Sequence, residues 1–167
     1  MTRRSAGASI GAVQRILVLG RGGAGKSTFA RQLSRLTGIP LVELDKHFWS
    51  AAGQPLSHND WSTVQEGLVS AEQWILDGDL GSFDVLEHRM AAADTIFVLD
   101  FTFARCAWRA VRRSREAADF WSWVWHYRRR SRPLVREAMR AYAPGATVHW
   151  LTGPRQVKRL LARVGSS

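Results

Sequence analysis

The feature that most constrains this chain is a glycine-rich segment between an apolar run and an amphipathic stretch. Residues 20–27 read G-R-G-G-A-G-K-S and fit the pattern G-x-x-x-x-G-K-[ST] without a mismatch. The preceding residues 14–19, QRILVL, predict a buried strand, and residues 25–36 predict a helix. In this order the glycines let successive backbone N–H groups point at phosphate oxygens, and the helix N-terminus adds its positive dipole end. The segment therefore predicts a phosphate-binding loop.

Two side chains of this loop have expected roles. Lys26 reaches the β- and γ-phosphates of a nucleoside triphosphate, and the Ser27 hydroxyl ligates Mg²⁺. The alternative is a glycine-rich turn ahead of a helix, without a ligand. We predict ATP and Mg²⁺ as cofactors, and the residues predicted to bind them are Gly20, Gly22, Gly23, Ala24, Gly25, Lys26, Ser27 and Thr28.

Apolar runs alternate with amphipathic stretches along the rest of the chain, which predicts an α/β fold with a parallel sheet wrapped by helices. Further strands are predicted at 41–44, 74–76, 95–99 and 146–151. Helices are predicted at 60–71, 82–90, 103–116, 120–142 and 154–164. We expect Asp60 to be the N-cap of the first of these helices, and Pro133 to bend or break the fourth. A chain of 167 residues suits one domain, predicted at 13–167 after a flexible tail at 1–12.

Composition excludes several classes of protein. The single cysteine, Cys106, cannot form an internal disulfide or a cysteine zinc cluster. No apolar run approaches the roughly 18 residues of a membrane helix. The first residues include two arginines but no apolar core of a secretory signal, so a cytoplasmic protein is the default expectation.

Three aspartates follow predicted strands: Asp45 the second, Asp77 the third and Asp100 the fourth. Ligands of open parallel sheets bind beyond the carboxyl ends of the strands. An aspartate there can hold Mg²⁺ beside the loop, and another can accept the proton of an attacking hydroxyl. The alternative role for any one of them is to cap a following turn.

Positive charge is concentrated late in the chain. Residues 1–100 hold 9 Lys+Arg against 11 Asp+Glu, whereas residues 101–167 hold 15 against 3. Because the arginine fork matches phosphate oxygens, this basic half predicts a phosphate-bearing partner: a nucleotide, a nucleic acid or an anionic surface. Arginines cluster at 105–115 and 128–132, where they could neutralise a transferred phosphoryl group or form a solvated helix face. Nearby Trp108, Trp121 and Trp125 are expected to form a core stripe, with a base-stacking platform as the alternative.

Four segments give the chain a family resemblance. They are GRGGAGKSTFARQLSRLTGIPLVELDKHFW, WILDGDLGSFDVLEHRMAAADTIFVLD, CAWRAVRRSR and YRRRSRP, within residues 20–133. The chain resembles the topology modulation protein family, bacterial P-loop proteins related to adenylate kinase. The resemblance implies a nucleoside- or nucleotide-kinase-like P-loop NTPase fold with five parallel strands in the order 2-3-1-4-5 and a short lid.

The resemblance also implies site residues. It places ATP on residues 22–28, Asp77 near Mg²⁺ and the phosphates, and Asp45 with the loop 47–49 at the acceptor site. Residues 152–156 would pass near the adenine. The arginines that it implies as phosphate contacts are Arg109, Arg113, Arg128 and Arg132. The chain departs from adenylate kinases after the third strand, where D-G-D-L-G stands in place of Asp-Gly-Phe-Pro-Arg; Arg89 is the candidate substitute for the missing arginine.

Together these observations predict phosphoryl transfer from Mg-ATP to a nucleoside- or nucleotide-like small molecule. The predicted catalytic residues are Lys26, Asp45, Asp77, Arg109, Arg113, Arg128 and Arg132, and the predicted metal ligands are Ser27 and Asp77. One alternative is a nucleotide-dependent nucleic-acid-binding protein or regulatory ATPase, which the basic half motivates although no nucleic-acid motif is present. Another is a P-loop scaffold that binds nucleotide without chemistry.

Overall fold

A single parallel sheet organises the chain. The structure, a computed structural model, describes residues 13–79, 85–104, 106–108 and 131–166. Its strands are β1 (Arg15–Gly20), β2 (Leu41–Glu43), β3 (Trp74–Asp77), β4 (Thr95–Leu99) and β5 (Thr147–Leu151). Their order is β2-β3-β1-β4-β5, and every neighbouring pair is parallel. The predicted fold class and strand order are confirmed.

Helices cover both faces of this sheet. They are α1 (Lys26–Thr37), α2 (His58–Val69), α3 (Glu87–Ala92), α4 (Ser131–Tyr142) and α5 (Pro154–Val164), with a 3-10 turn at Leu44–Lys46. Residues 103–104 and 106–108 are also helical. Helices α1 and α5 pack on one face of the sheet, and α2, α3 and α4 pack on the other. Because both faces are covered, the central strands are continuous apolar runs and not alternating ones.

The cap of α2 differs from the sequence prediction. Ser57, and not Asp60, is the N-cap: its hydroxyl oxygen accepts the backbone N–H of Asp60 at 3.2 Å and its O–H donates to the Asp60 carboxylate at 2.6 Å. The cap position requires extended backbone, which Ser57 has with φ −62° and ψ 160°. Asp60 already lies inside the first turn, where a carboxylate interacts favourably with the helix dipole.

The other predicted strands and helices lie within a few residues of their observed bounds, except for three helices that the structure describes only in part. The helix predicted at 82–90 begins at Glu87, and 80–84 lie outside the described residues. Much of the helices predicted at 103–116 and 120–142 also lies outside them; the described part of the second is helical on both sides of Pro133, so no break occurs there.

The expected tryptophan core stripe is wrong for the member that the structure describes. Trp108 is 60% exposed, while Trp121 and Trp125 lie outside the described residues. Among the described residues, the tryptophans buried in the core are Trp61 on α2 and Trp74 on β3. Among the described helices, none is long and apolar enough to cross a bilayer.

Candidate active site

The glycine-rich loop joins β1 to α1 and lies against neighbouring backbone. A Cβ on Gly20 would sit 2.4 Å from the carbonyl oxygen of Leu99, and one on Gly23 would sit 2.5 Å from that of Cys106. Both glycines also have positive φ, 138° and 76°. These positions exclude a side chain because the loop is packed onto the end of β4 and the helical residues that follow it.

Lys26, the first residue of α1, folds back over this loop. Its Nζ donates to the carbonyl oxygen of Gly20 at 2.8 Å and lies 3.4 Å from that of Arg21. The side chain is half-buried. The ammonium group is thus held against the loop whose amides were predicted to bind phosphate.

Ser27 and Asp77, the two predicted metal ligands, meet. Asp77 ends β3 and pairs in register with Val18 of the adjacent β1, so it lies beside the loop. Its carboxyl group is buried, and burial raises its pKa above the usual value. A hydrogen bond with the Ser27 hydroxyl and the charge of Lys26 act in the opposite direction. Its Oδ1 atom is buried and has no hydrogen-bond partner among the described residues.

Two further carboxylates lie near Asp77. Asp45, an exposed residue of the 3-10 turn after β2, and Glu43, at the end of β2, both raise the pKa of Asp77 electrostatically. Glu43 was not predicted. It contacts the Arg31 guanidinium at 2.7 Å and the Lys46 ammonium at 2.5 Å. The signal that could have found it is a second acid, two residues before Asp45, at the end of the same strand.

These ion pairs predict an acid-dependent contribution to stability. The Lys46 and Arg31 contacts hold the pKa of Glu43 below its usual value. A carboxyl group whose pKa is lower in the folded than in the unfolded protein stabilises the fold at pH values above the unfolded-state pKa. This stabilisation is lost as the pH falls through the folded-state pKa. We expect Glu43→Gln to lower the free energy of unfolding by about 0.5–1 kcal/mol at neutral pH, because both cations are largely exposed.

Thermal unfolding of both proteins at a series of pH values measures this effect. The difference between wild type and variant should shrink as pH falls below the ordinary glutamate range. Glu72→Gln is the control: Glu72 is exposed, and its carboxylate forms no ion pair with a described residue. A difference for Glu43→Gln that stays constant with pH would contradict this assignment.

The donors near the loop suit Mg²⁺ bound together with a nucleotide. Within the described part of the chain, no group of three or more His, Cys, Asp or Glu residues could enclose a metal ion. The Ser27 hydroxyl and the Asp77 carboxylate nevertheless supply adjacent oxygen donors. Mg²⁺ prefers oxygen and takes its other positions from phosphates and water, so two protein ligands suffice.

An arginine reaches the same edge of the sheet from α4. Arg132 Nε lies 3.4 Å from the Oδ2 atom of Asp100, a buried residue that directly follows β4. The Arg132 guanidinium also lies over the Trp150 ring, 5.5 Å from its centre. Because Leu99 pairs with Gly20, this ion pair is at the strand end beside the start of the loop. The other arginines predicted to contact phosphate, Arg109, Arg113 and Arg128, lie outside the described residues.

Arg89, the candidate substitute for the missing arginine, is buried and is not placed to contact a substrate. It lies on α3 with no exposed surface, and its Nη1 donates to the carbonyl oxygen of Gly78 at 3.2 Å. Gly78 directly follows Asp77. Through this bond Arg89 stabilises the backbone directly after Asp77. It has no exposed surface with which to contact an acceptor.

Two surfaces flank the loop. On the α5 side, a cavity of about 80 Å³ is lined by residues that include Gly25, Thr28, Phe101, Pro154 and Val157. One of these lining residues, Pro154, belongs to the segment 152–156 that the family resemblance places near the adenine.

On the β2 side, the 47–49 loop presents aromatic surface. The Phe48 ring is buried and packs edge-on against Trp61 at 5.3 Å between centres. Trp49 packs edge-on against Phe48 at 5.4 Å and remains 55% exposed. The buried ring anchors the loop, and the exposed ring of Trp49 lies four residues after Asp45 on the same connection.

The parallel order β2-β3-β1-β4-β5, with a glycine-rich loop directly after the central strand β1, matches the P-loop NTPase fold of shikimate and gluconate kinases. Among solved structures, the chain is similar to a shikimate kinase from Acinetobacter baumannii in complex with shikimate: TM-score 0.65, 16% identity, covering 93% of this chain and 92% of that one. It is also similar to a sugar kinase from Janibacter sp. HTCC2649: TM-score 0.54, 18% identity, 91% and 94% covered.

A gluconokinase from Sinorhizobium meliloti 1021 gives a TM-score of 0.52 at 16% identity, with 92% of this chain and 90% of that chain covered. At these identities the similarity shows a shared fold. No protein-family model and no curated protein sequence matches the chain, so the resemblance to topology modulation proteins is not confirmed.

Proposed function

We propose that this protein is a Mg-ATP-dependent phosphotransferase that moves the γ-phosphoryl group to a hydroxyl of a small molecule. The observation that carries the proposal is the buried Asp77 carboxylate at the end of β3, in register with Val18 of β1 and near enough to the Ser27 hydroxyl and Lys26 for both to lower its pKa. A hydroxyl and a carboxylate at a strand end, next to a lysine folded over a glycine-rich loop, form the donor set that a magnesium nucleotide requires. The kinase names of the structural neighbours support the same class of reaction.

The donor side uses residues of β1, α1 and β3. The loop amides and Lys26 bind the β- and γ-phosphates, and the base lies in the cavity between Thr28 and Pro154. Ser27 and Asp77 would hold Mg²⁺, which supplies charge neutralisation to the phosphates. A cation at this position favours the charged form of Asp77, against the upward pKa shift that burial imposes.

The acceptor side lies at the end of β2. Asp45 is exposed there and accepts the proton of the acceptor hydroxyl, whose oxygen forms a bond to the γ-phosphorus as the bond to the β–γ bridging oxygen breaks and ADP leaves. Arg132, with Arg109, Arg113 and Arg128, offsets the charge on the transferred group. We propose a nucleoside- or nucleotide-like acceptor, stacked on Trp49.

The proposal is tested by measuring ATP consumption with Mg²⁺ against a panel of nucleosides, nucleotides, sugars, sugar acids and shikimate. We expect turnover that rises sharply with one class of acceptor, with the product identified by mass. ATP hydrolysis at the same rate across the whole panel would instead favour a regulatory ATPase. Tight ATP binding without turnover would favour a scaffold that binds nucleotide without chemistry.

Once an acceptor is known, Asp45→Asn tests its role. The amide keeps the shape of the side chain but cannot take the proton, so we expect the acceptor-dependent kcat to fall about 10²–10⁴-fold. The KM for ATP should remain within about threefold, because Asp45 is assigned to the acceptor side. Asp60→Asn is the matched control, since Asp60 is an exposed aspartate whose observed partner is the α2 cap. Equal effects of the two variants on kcat would remove Asp45 from the mechanism.

A further inference from the structure

The two helices on one face of the sheet contain no acidic residue. Helix α1 reads KSTFARQLSRLT and α5 reads PRQVKRLLARV, and the two pack against each other. Their cations other than Lys26 are Arg31, Arg35, Arg155, Lys158, Arg159 and Arg163. This surface, the α1–α5 face, lies across the sheet from α2, α3 and α4.

Four of these six cations have no charge partner among the described residues. Arg35, Arg155, Lys158 and Arg159 are exposed, and none forms an ion pair with a described residue. Arg31 differs because it binds Glu43. Exposed cations held close together without partners repel one another, so a bound polyanion would relieve this repulsion.

The shape of the α1–α5 face limits the kinds of partner that it can bind. A groove of about 360 Å³ runs between the helices and is lined by Gln32, Arg35, Leu36, Lys158 and Leu161. The apolar side chains of α5, Val157, Leu160 and Leu161, pack against the core. Helix α5 therefore leaves little apolar surface for insertion into a bilayer, which a membrane-surface helix needs, and Leu36 of α1 is the exposed apolar residue of the groove. The exposed charges of this face outnumber its exposed apolar side chains, and the arginine fork suits phosphate oxygens.

We infer that the α1–α5 face binds the phosphate backbone of a nucleic acid without reading bases. The net charge of +10 attracts such a polyanion from a distance, and the unpaired cations of the face give it a defined place to bind. The inference does not depend on the proposed phosphotransferase activity, since the groove lies at the far end of α1 from Lys26 and Ser27.

Fluorescence anisotropy of a labelled single-stranded oligonucleotide, measured over a range of NaCl concentrations, tests the inference. If the four unpaired cations contact four phosphates, the slope of log K against log salt is about −2.8, so affinity falls about 50-fold between about 50 and about 200 mM salt. For Arg35→Gln/Lys158→Gln the slope should halve, and the loss over this range should be about 7-fold.

A matched variant distinguishes binding by the α1–α5 face from attraction by the net charge of the whole protein. Arg136→Gln/Arg140→Gln also removes two exposed cations, but from α4 on the opposite side of the sheet. Its slope should equal that of the wild type. Equal weakening by the two double variants, or no salt-dependent binding by the wild type, would overturn the assignment.

Two competitors test the class of partner. Poly-glutamate and vesicles of anionic phospholipid should compete poorly with the oligonucleotide at equal charge concentration. If either binds as tightly and with the same dependence on Arg35 and Lys158, the face is not a nucleic-acid site. ATP turnover of Arg35→Gln/Lys158→Gln should be unchanged, so a failure of this inference and a failure of the proposed phosphotransferase are distinguishable.

Discussion

Lys26→Ala should reduce acceptor-dependent ATP turnover by about 10³-fold. This is the upper end of the loss in kcat expected when one hydrogen-bond donor to the charge that develops in the transition state is removed. In the structure the ammonium group is held over the loop through the carbonyl oxygen of Gly20 at 2.8 Å. The group is thus already placed where the β- and γ-phosphates are proposed to lie, and alanine removes the charge without replacing it. Steady-state kinetics with the acceptor that the panel identifies would measure the effect.

The stability of this variant should change little. The lost hydrogen bond to Gly20 contributes about 1 kcal/mol, which corresponds to a Tm lower by about 2–4 °C. Lys158→Ala is the matched control because Lys158 is an exposed lysine on α5, away from the loop, and we expect it to keep wild-type turnover. If Lys26→Ala retains turnover within about threefold of wild type while folded, the loop is not the site of phosphoryl transfer.

Gly23→Ala should disrupt both the loop and the fold around it. A Cβ at this position would lie 2.5 Å from the carbonyl oxygen of Cys106, and Gly23 has a φ of 76°. An L-residue in that conformation costs about 1–2 kcal/mol by itself. Since the obstructing atom is backbone, the helical segment that carries Cys106 must move away from the loop as well. We expect a total loss of more than about 3 kcal/mol and at least about 100-fold weaker ATP binding.

Gly38→Ala separates the cost of the backbone conformation from the cost of the contact with Cys106. Gly38 has the same φ of 76°, at the C-cap of α1, but an added Cβ would meet nothing within 4 Å. This control should lose only the conformational cost, about 1–2 kcal/mol, and should bind ATP as wild type does. Differential scanning calorimetry and isothermal titration with ATP measure both quantities. Equal losses in the two variants would show that backbone conformation, and not the contact with Cys106, makes glycine necessary at position 23.

Taken together, these variants separate three roles within one small region. Lys26→Ala removes a charge and leaves the loop shape in place, whereas Gly23→Ala alters the shape and leaves the charge. Asp45→Asn affects only the acceptor side. A protein that loses ATP binding with Gly23→Ala, loses turnover with Lys26→Ala and loses only acceptor-dependent kcat with Asp45→Asn behaves as the proposed phosphotransferase.

The loop and the alternation of strands and helices could be predicted from the sequence because both depend on neighbouring residues. Residues 20–27 are contiguous, and their spacing alone identifies a phosphate-binding turn. The apolar run of β1 and the amphipathic periodicity of α1 likewise express local geometry. The cap of α2 was missed because Ser57 and Asp60 are both good cap residues, and the backbone conformation at each position decided between them.

Tertiary structure alone brought together the residues that make the loop a candidate site. Ser27 lies near Asp77 only because β3 lies beside β1, and Arg132 meets Asp100 only because α4 packs on the same face of the sheet as the side chains of Ile96 and Val98. The ion pairs of Glu43 and the fit of Gly23 against Cys106 are also contacts between segments distant in the chain. Periodicity specifies which face of an element is apolar, but the packing of whole elements decides which neighbours their end residues meet. The sequence by itself therefore determined the loop, the candidate acids and the class of fold, and only the packed structure determined which of them act together.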